Sequence, residues 1–336
     1  MKAGFFTRLA APQRIQRFQC VTCQRYFSSQ TFHFSYWLRR PELSLPIFHR
    51  LLGCSALRQI AREFDLSPQT VQRRASRLGR LCLLFHQQNR PRGPLNEPVV
   101  LDSFASFEYS QYHPTLFHVL AGKNSHFFHG FTDSELRRSG SMRPAQKQRR
   151  AALEAVYGRP DPRSIEKEVK ELLQIVAPEP QAFVLHTDEH LDYPRAVRQL
   201  KHLEVTHRTI SSRAARTSSN PLHVINLLDL LLRHCGANHK RETIAFSKRR
   251  QGAAERIWAF VVWRNYIKSV SERHPGETPA MRLGLRRAPL RPEGILTQRL
   301  FPTRIALPPR WAKYYWRQIR TRMILRGTTH QLAYAF

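Results

Sequence analysis

Between residues 98 and 234 the hydrophobic pattern fixes an order of elements: three strands, a helix, a strand and another helix. PVVLD ends on Asp102. TLFHVLAG and HFFHGFTD follow, rich in the β-branched and aromatic residues that suit a pleated, half-buried surface. SIEKEVKELLQIV, residues 164–176, sets Ile165, Val169, Leu172, Leu173 and Val176 on one side of a helix. QAFVLHTD reads as a fourth strand closing at Asp188, and LHVINLLDLLLRH, residues 222–234, as a helix carrying Asp229. Strands and helices interleaved in this way predict an α/β domain, placed over residues 96–270.

Three further regions differ in texture. Residues 1–40 are basic and aromatic around a Cys-Val-Thr-Cys turn, residues 41–95 read as wholly helical, and residues 271–336 form a basic aromatic tail. Fifty-five Lys and Arg against twenty-four Asp and Glu leave a net charge of +31. So basic a chain needs an anionic partner, and a nucleic-acid backbone is the usual one. Five scattered cysteines do not read as a secreted disulfide framework. No run reaches the roughly 18 apolar residues of a membrane helix, and no signal-peptide core is evident, so a cytoplasmic, nucleoid-associated location without a membrane partner is expected.

In SALRQIAREFDLSPQTVQRRASRLG, Leu57, Ile60, Ala61 and Phe64 fall at helical spacing, and Asp65-Leu66-Ser67 interrupts them. Ser67 is a good N-cap and Pro68 suits the first helical position. Val71 and Leu78 mark the buried face of the next helix. This pattern predicts a helix-turn-helix with Gln69, Thr70, Gln72, Arg73, Arg74 and Arg77 turned outward to DNA, against an ordinary helical hairpin as the plainer reading. Upstream, Cys20 and Cys23 form half of a tetrahedral zinc site, so a partial zinc ribbon with these two as candidate Zn ligands is expected. In the tail, Trp311, Tyr314, Tyr315 and Trp316 interleave with basic residues; they can stack on bases or dock as a helix on the core.

The strand–helix order resembles that of the ribonuclease H-like fold, where the first and fourth strands are neighbours and a later helix packs at their edge. In such a sheet Asp102, Asp188 and Asp229 would converge. Three carboxylates in one place repel unless cations neutralise them, and Mg²⁺ or Mn²⁺ would do so while serving phosphoryl transfer. Singly, each acid also reads as a turn former, a solvated loop residue or an exposed helix position.

The chain also resembles the DDE transposases of bacterial insertion elements, in the group with an N-terminal zinc ribbon and helix-turn-helix, over most of its length. VVLDSF is similar to their first acidic motif, with Asp102 as its Asp. HTDEHLDYPRAV is similar to the second, with Asp188 and Tyr193 in place. THRTISSRAARTSSNPLHVINLLD is similar to the approach to the third, where Asn226 matches an Asn but Asp229 stands where the family has Glu. Glu255 and Glu242 are the rival third acids. Arg233, Lys240 and Arg241 would sit near the DNA phosphate. The resemblance implies Mg²⁺-dependent DNA cleavage and strand transfer on double-stranded DNA (element ends and target), by a homo-oligomer assembled on it. The fold expected is thus α/β, a ribonuclease H-like mixed sheet flanked by helices, preceded by a small helix-turn-helix domain and a partial zinc ribbon. The alternative is a transposase-derived DNA-binding protein without catalysis.

Overall fold

The computed structural model describes residues 1–9, 11–31, 33–240 and 243–319. The chain opens with β1 (Lys2–Thr7), β2 (Arg14–Gln19) and β3 (Tyr26–Ser28), an antiparallel sheet in that order. Cys20 and Cys23 occupy the turn between β2 and β3. Gln24 closes that turn with φ of 59°, its N–H donating to the carbonyl of Cys20. A 3-10 turn at Pro41–Leu43 leads into α1 (Ser44–Leu52), α2 (Leu57–Glu63) and α3 (Pro68–Asn89).

The junction before α3 follows the sequence signals. Asp65 takes φ of 50°, Ser67 Oγ accepts from the Thr70 N–H at 3.1 Å, and Pro68 opens the helix. From there α3 runs for 22 residues. Its second half, with Leu78, Leu81, Cys82, Leu83, Leu84 and Phe85 buried, packs along the later helix α8 (Arg250–Tyr266). The contact is close because Gly79 has no side chain: a Cβ there would stand 2.3 Å from the backbone oxygen of Glu255.

The central sheet has five strands: β4 (Val99–Phe107), β5 (Pro114–Gly122), β6 (Phe128–Glu135), β7 (Gln181–Thr187) and β8 (Leu203–Thr209). The order across it is β6-β5-β4-β7-β8, so the first and fourth of these strands are neighbours, as the sequence predicts. The β4–β5 and β5–β6 pairs are antiparallel; β4–β7 and β7–β8 are parallel. Helices α4 (Pro144–Tyr157), α5 (Ser164–Val176), α6 (Asp192–Arg198) and α7 (His223–Cys235) connect or follow the strands. The chain ends its described part with α8, α9 (Pro279–Arg282), α10 (Pro292–Leu296) and α11 (Pro309–Tyr315).

Strand alternation divides the core between the two faces. Val99, Leu101, Leu120 and Leu185 pack on α5 and α6, where the helix stripe Val169, Leu172, Leu173 and Val176 meets them. Val100, Phe104, Phe117, Val119 and Phe131 face a larger apolar cluster built from α1, α2, α3, α7, α8 and α11. Full burial of each such side chain stabilises by about 1.5–3 kcal/mol, so this face holds most of the apolar stabilisation. One sequence expectation is corrected: Asp102 lies within β4, because Ser103–Phe107 continue the pairing with β5. Of the two readings of the tail aromatics, docking on the core is the one Trp311 and Tyr314 follow: they are at most 1% exposed and pack on Trp258 and Phe131. Charges anchor the same segment: Arg310 pairs with Asp133 at 3.2 Å and Glu168 at 2.7 Å, and the Tyr314 hydroxyl donates to Asp133.

Candidate active site

The parallel register of β4 and β7 sets Val99 opposite Leu185 and Val100 opposite His186. Extending that offset along both chains brings Asp102 level with Asp188, just past the last residue of β7. Asp102 shares its side of β4 with Val100 and Phe104, the side covered by α7. Asp229 lies on α7, between the buried Leu228 and Leu232. Its ion-pair partner Arg233 (Nε to Oδ2, 3.3 Å) lies over the ring of Phe104, 4.5 Å from the centroid. Phe104 is two residues beyond Asp102 on the same face, so the acidic side of α7 looks onto the Asp102 stretch of β4.

The charges act on one another. The Asp102 carboxyl is pushed up to about 6, first by burial and then by the carboxylates of Asp188 and Asp229. Two groups oppose the rise: the Ser103 N–H, which donates to Asp102 Oδ1 at 2.6 Å, and the guanidinium of Arg216. A carboxyl in that position gains from any cation placed near it. Asp229 Oδ1 is buried and has no hydrogen-bond partner among the described residues, so it is an oxygen in want of a positive partner. The donor set is therefore all carboxylate oxygen, which suits a hard divalent cation such as Mg²⁺ or Mn²⁺. The three acids do not stand as a closed ligand set. Each has a local partner: Ser103 N–H for Asp102, His190 N–H for Asp188 (3.0 Å) and Arg233 for Asp229. Among the described residues no group of three or more His, Cys, Asp or Glu could hold a metal ion as placed.

Behind Asp102 runs a hydroxyl–imidazole network. Ser103 Oγ is 2.8 Å from the hydroxyl of Tyr193 on α6 and 2.7 Å from His118 Nδ1 on β5. His118 Nε2 is 2.9 Å from Ser134 Oγ on β6. Burial holds the His118 ring down to about 3, so it is neutral, and raises the Tyr193 hydroxyl, so it is protonated. Three strands and a helix are thereby tied at the residue next to Asp102. The sequence gives Tyr193 through its motif, but Ser103 and His118 carry no local signal, since only the register brings them together. Arg216 is likewise missed; its one sequence trace is the basic, Ser-rich stretch 208–220.

The other expected residues fall in several places. Glu255 is 2% exposed on α8 and accepts from Ser76 Oγ at 2.7 Å, with Arg317 at 3.1 Å. It faces α3, where its carboxylate meets Ser76 and its backbone meets Gly79. Glu242 and Arg241 lie outside the described residues. Arg74 does not point outward: it is buried, with Nη1 donating to Ser44 Oγ at 2.6 Å and Nη2 to the Arg40 carbonyl at 2.8 Å. Arg77 is half-buried and donates to the carbonyls of Phe34 and Tyr36. A straight helix must seat one face on α1 and the 34–40 segment, and both arginines lie on it. Gln69 and Arg73 are exposed, while Thr70 and Gln72 are half-buried. Arg233 is committed to Asp229 and Phe104, and Lys240 is exposed.

In the β2–β3 turn, backbone N–H groups of Cys23 and Thr22 hold the Cys20 thiol below its usual value, as a thiolate ligand requires. No third ligand joins Cys20 and Cys23 among the described residues. No helix among these residues is long and apolar enough to cross a membrane.

No family model matches the chain, and no curated protein matches it. Among solved structures it is similar to a chain of the simian T-cell lymphotropic virus intasome in complex with PP2A regulatory subunit B56 gamma, at 15% identity over 60% of this chain, with a TM-score of 0.23. The chain spans 59% of that neighbour's length. It is also similar to the HTLV-2 integrase catalytic core domain in complex with magnesium, at 13% identity over 55% of this chain and 94% of that one, with a TM-score of 0.20. Superposition at these scores is loose, and neither match bears on the chemistry.

Proposed function

We propose that the chain is the transposase of a bacterial insertion element, cleaving DNA and transferring strands with Asp102, Asp188 and Asp229 as its acids on a ribonuclease H-like sheet. One observation carries this reading: adjacent parallel strands bring Asp102 and Asp188 level, and the charges of Asp188 and Asp229 raise the Asp102 carboxyl. Asp102, Asp188 and Asp229 would hold Mg²⁺ or Mn²⁺, which when bound supplies Lewis acidity and a nucleophile at neutral pH. The chain's own part is positional and electrostatic. Ser103, His118 and Tyr193 fix β4 behind Asp102. Arg216, whose field already reaches Asp102, offsets negative charge as a phosphodiester approaches. In cleavage, water attacks phosphorus and the P–O3′ bond breaks, leaving a free 3′-hydroxyl. In transfer, that hydroxyl attacks a second phosphodiester, and the displaced 3′-oxygen takes up a proton.

The finer reading extends to binding. Helix α3, entered through the Ser67 cap, presents Gln69 and Arg73 as the groups free to meet double-stranded DNA, in the manner of a helix-turn-helix. Joining two ends requires at least two copies of the chain. The test is nicking of supercoiled plasmid with Mg²⁺ or Mn²⁺, together with transfer of an oligonucleotide 3′-end into it. Wild type performs both and Asp188→Asn neither; equal activity in the two would remove the mechanism. A second reading, a DNA-binding protein without catalysis, is favoured by the Arg233 guanidinium already paired with Asp229. Tight metal-independent DNA binding with no nicking at any Mn²⁺ concentration would select it.

A further inference from the structure

A cavity of about 630 Å³ opens beside the C-terminal turn of α3, and Asp102, Asp188 and Asp229 are not among the residues that line it. It lies between the C-terminal turn of α3 and the segment 299–306, and its walls include Gln87, Arg90, Arg92, Arg299, Phe301 and Arg304. Among the described residues, no Asp or Glu lines it. The volume falls in the range of ligand pockets, about 300–1,000 Å³.

The four guanidiniums differ in what holds them. Arg90 is fixed: Nη1 donates to the Ile175 carbonyl at 3.0 Å, and the group lies over the Trp311 ring at 5.1 Å. Burial, and then the charge of Arg92, pull Arg90 down to about 10, so the cluster repels itself. Arg299 donates to the Ser29 carbonyl, which carries no charge. Arg92 and Arg304 are exposed and have no carboxylate partner among the described residues; Arg304 lies over the Phe301 ring at 5.2 Å. Gln87 Nε2 is used on the Ala306 carbonyl at 2.8 Å, while its Oε1 is buried without a partner among the described residues. Four cations converging on one concavity, with no acid in its lining, leave an electrostatic debt that an anion settles. Guanidinium forks match phosphate oxygens in geometry.

The geometry points to a phosphate-binding site in this cavity, at which Arg92 and Arg304 grip the phosphodiesters of a nucleic-acid strand or the phosphate of a free nucleotide-like molecule, with none of the three acids in its lining. It deepens the proposed function, and its test omits metal so that a failure of binding and a failure of cleavage read out separately. Binding of a fluorescein-labelled 30-base-pair duplex is followed by anisotropy in EDTA over a series of chloride concentrations. The variant is Arg92→Ala/Arg304→Ala, with both side chains exposed so that its melting curve should match wild type. Two lost phosphate contacts lower the slope of log affinity against log salt by about 1.8 and weaken binding at least about tenfold near 0.1 M salt. Lys147→Ala/Arg149→Ala on α4, which removes equal charge elsewhere, should change the slope by less than half as much. A second arm compares thermal stabilisation by inorganic phosphate with that by chloride at equal ionic strength. If that stabilisation is lost in the double variant while the duplex slope stays, the ligand is a free phosphate compound. If neither arm separates the double variant from the α4 control, the site does not exist.

Discussion

Replacing Asp102 by Asn removes a carboxyl that the fold holds at about 6 and leaves a group of the same shape, able to accept from the Ser103 N–H. The unfolded carboxyl titrates near its ordinary 3.8. Because the folded value is the higher one, the native state binds the proton more tightly. Stability from this group is therefore intact below about pH 4 and is lost as the pH rises through about 6. Two units at about 1.36 kcal/mol each make the loss roughly 3 kcal/mol at pH 8. Asn carries no charge at any pH, so in EDTA Asp102→Asn should match wild type near pH 4 and exceed it by up to roughly 3 kcal/mol at pH 8. With an unfolding entropy of about 2.1 cal/mol/K per residue, that corresponds to a Tm gain of roughly 4 °C for a chain this long. Thermal unfolding of both proteins at pH 4, 5, 6, 7 and 8 measures it. Mg²⁺ should raise the Tm of wild type and leave the variant unmoved. A variant less stable than wild type at pH 8, or a difference flat across the range, refutes the idea that burial and the neighbouring carboxylates together raise the Asp102 carboxyl.

Four further substitutions test the packing and the exposed face of α3. Gly79→Ala should destabilise by about 1–3 kcal/mol, since its Cβ meets the α8 backbone; a melt within half a kcal/mol of wild type would show that α3 and α8 are not in close contact. Arg74→Ala should cost about 1–3 kcal/mol by leaving Ser44 and the Arg40 carbonyl unpaired. Arg73→Ala should leave the melt unchanged and weaken duplex binding, and the reverse pattern would overturn the assignment of the two arginines. Glu255→Gln should retain metal-dependent nicking and lose some stability through its contacts with Ser76 and Arg317; loss of nicking with a normal melt would return it to the active site.

The sheet was readable because its strands are dense runs of β-branched and aromatic residues, and the α5 stripe because its apolar residues recur at helical spacing. The end of β4 is not legible, since Asp102 looks like a terminator while Ser103–Phe107, which carry no clear alternation, go on pairing with β5. Register leaves no mark in sequence. Asp102 and Asp188 are separated by 80-odd residues, and only pairing of Val99 with Leu185 makes them neighbours. Glu255 is as hard to place, because its sequence position says nothing about which face of α8 meets α3. Arg74 shows the limit of pattern reading on a helix: polar type suggests exposure, but long side chains cross to buried acceptors. Trp311 and Tyr314 show that aromatic residues among arginines can belong to the core.

The account stands or falls on divalent metal binding by the three acids. Mn²⁺ titrated into the protein and followed by electron paramagnetic resonance gives free and bound metal directly. Wild type and Glu255→Gln should bind Mn²⁺ alike, and Asp102→Asn and Asp188→Asn should each lose that binding. Unchanged Mn²⁺ occupancy in both Asp variants would contradict the central claim.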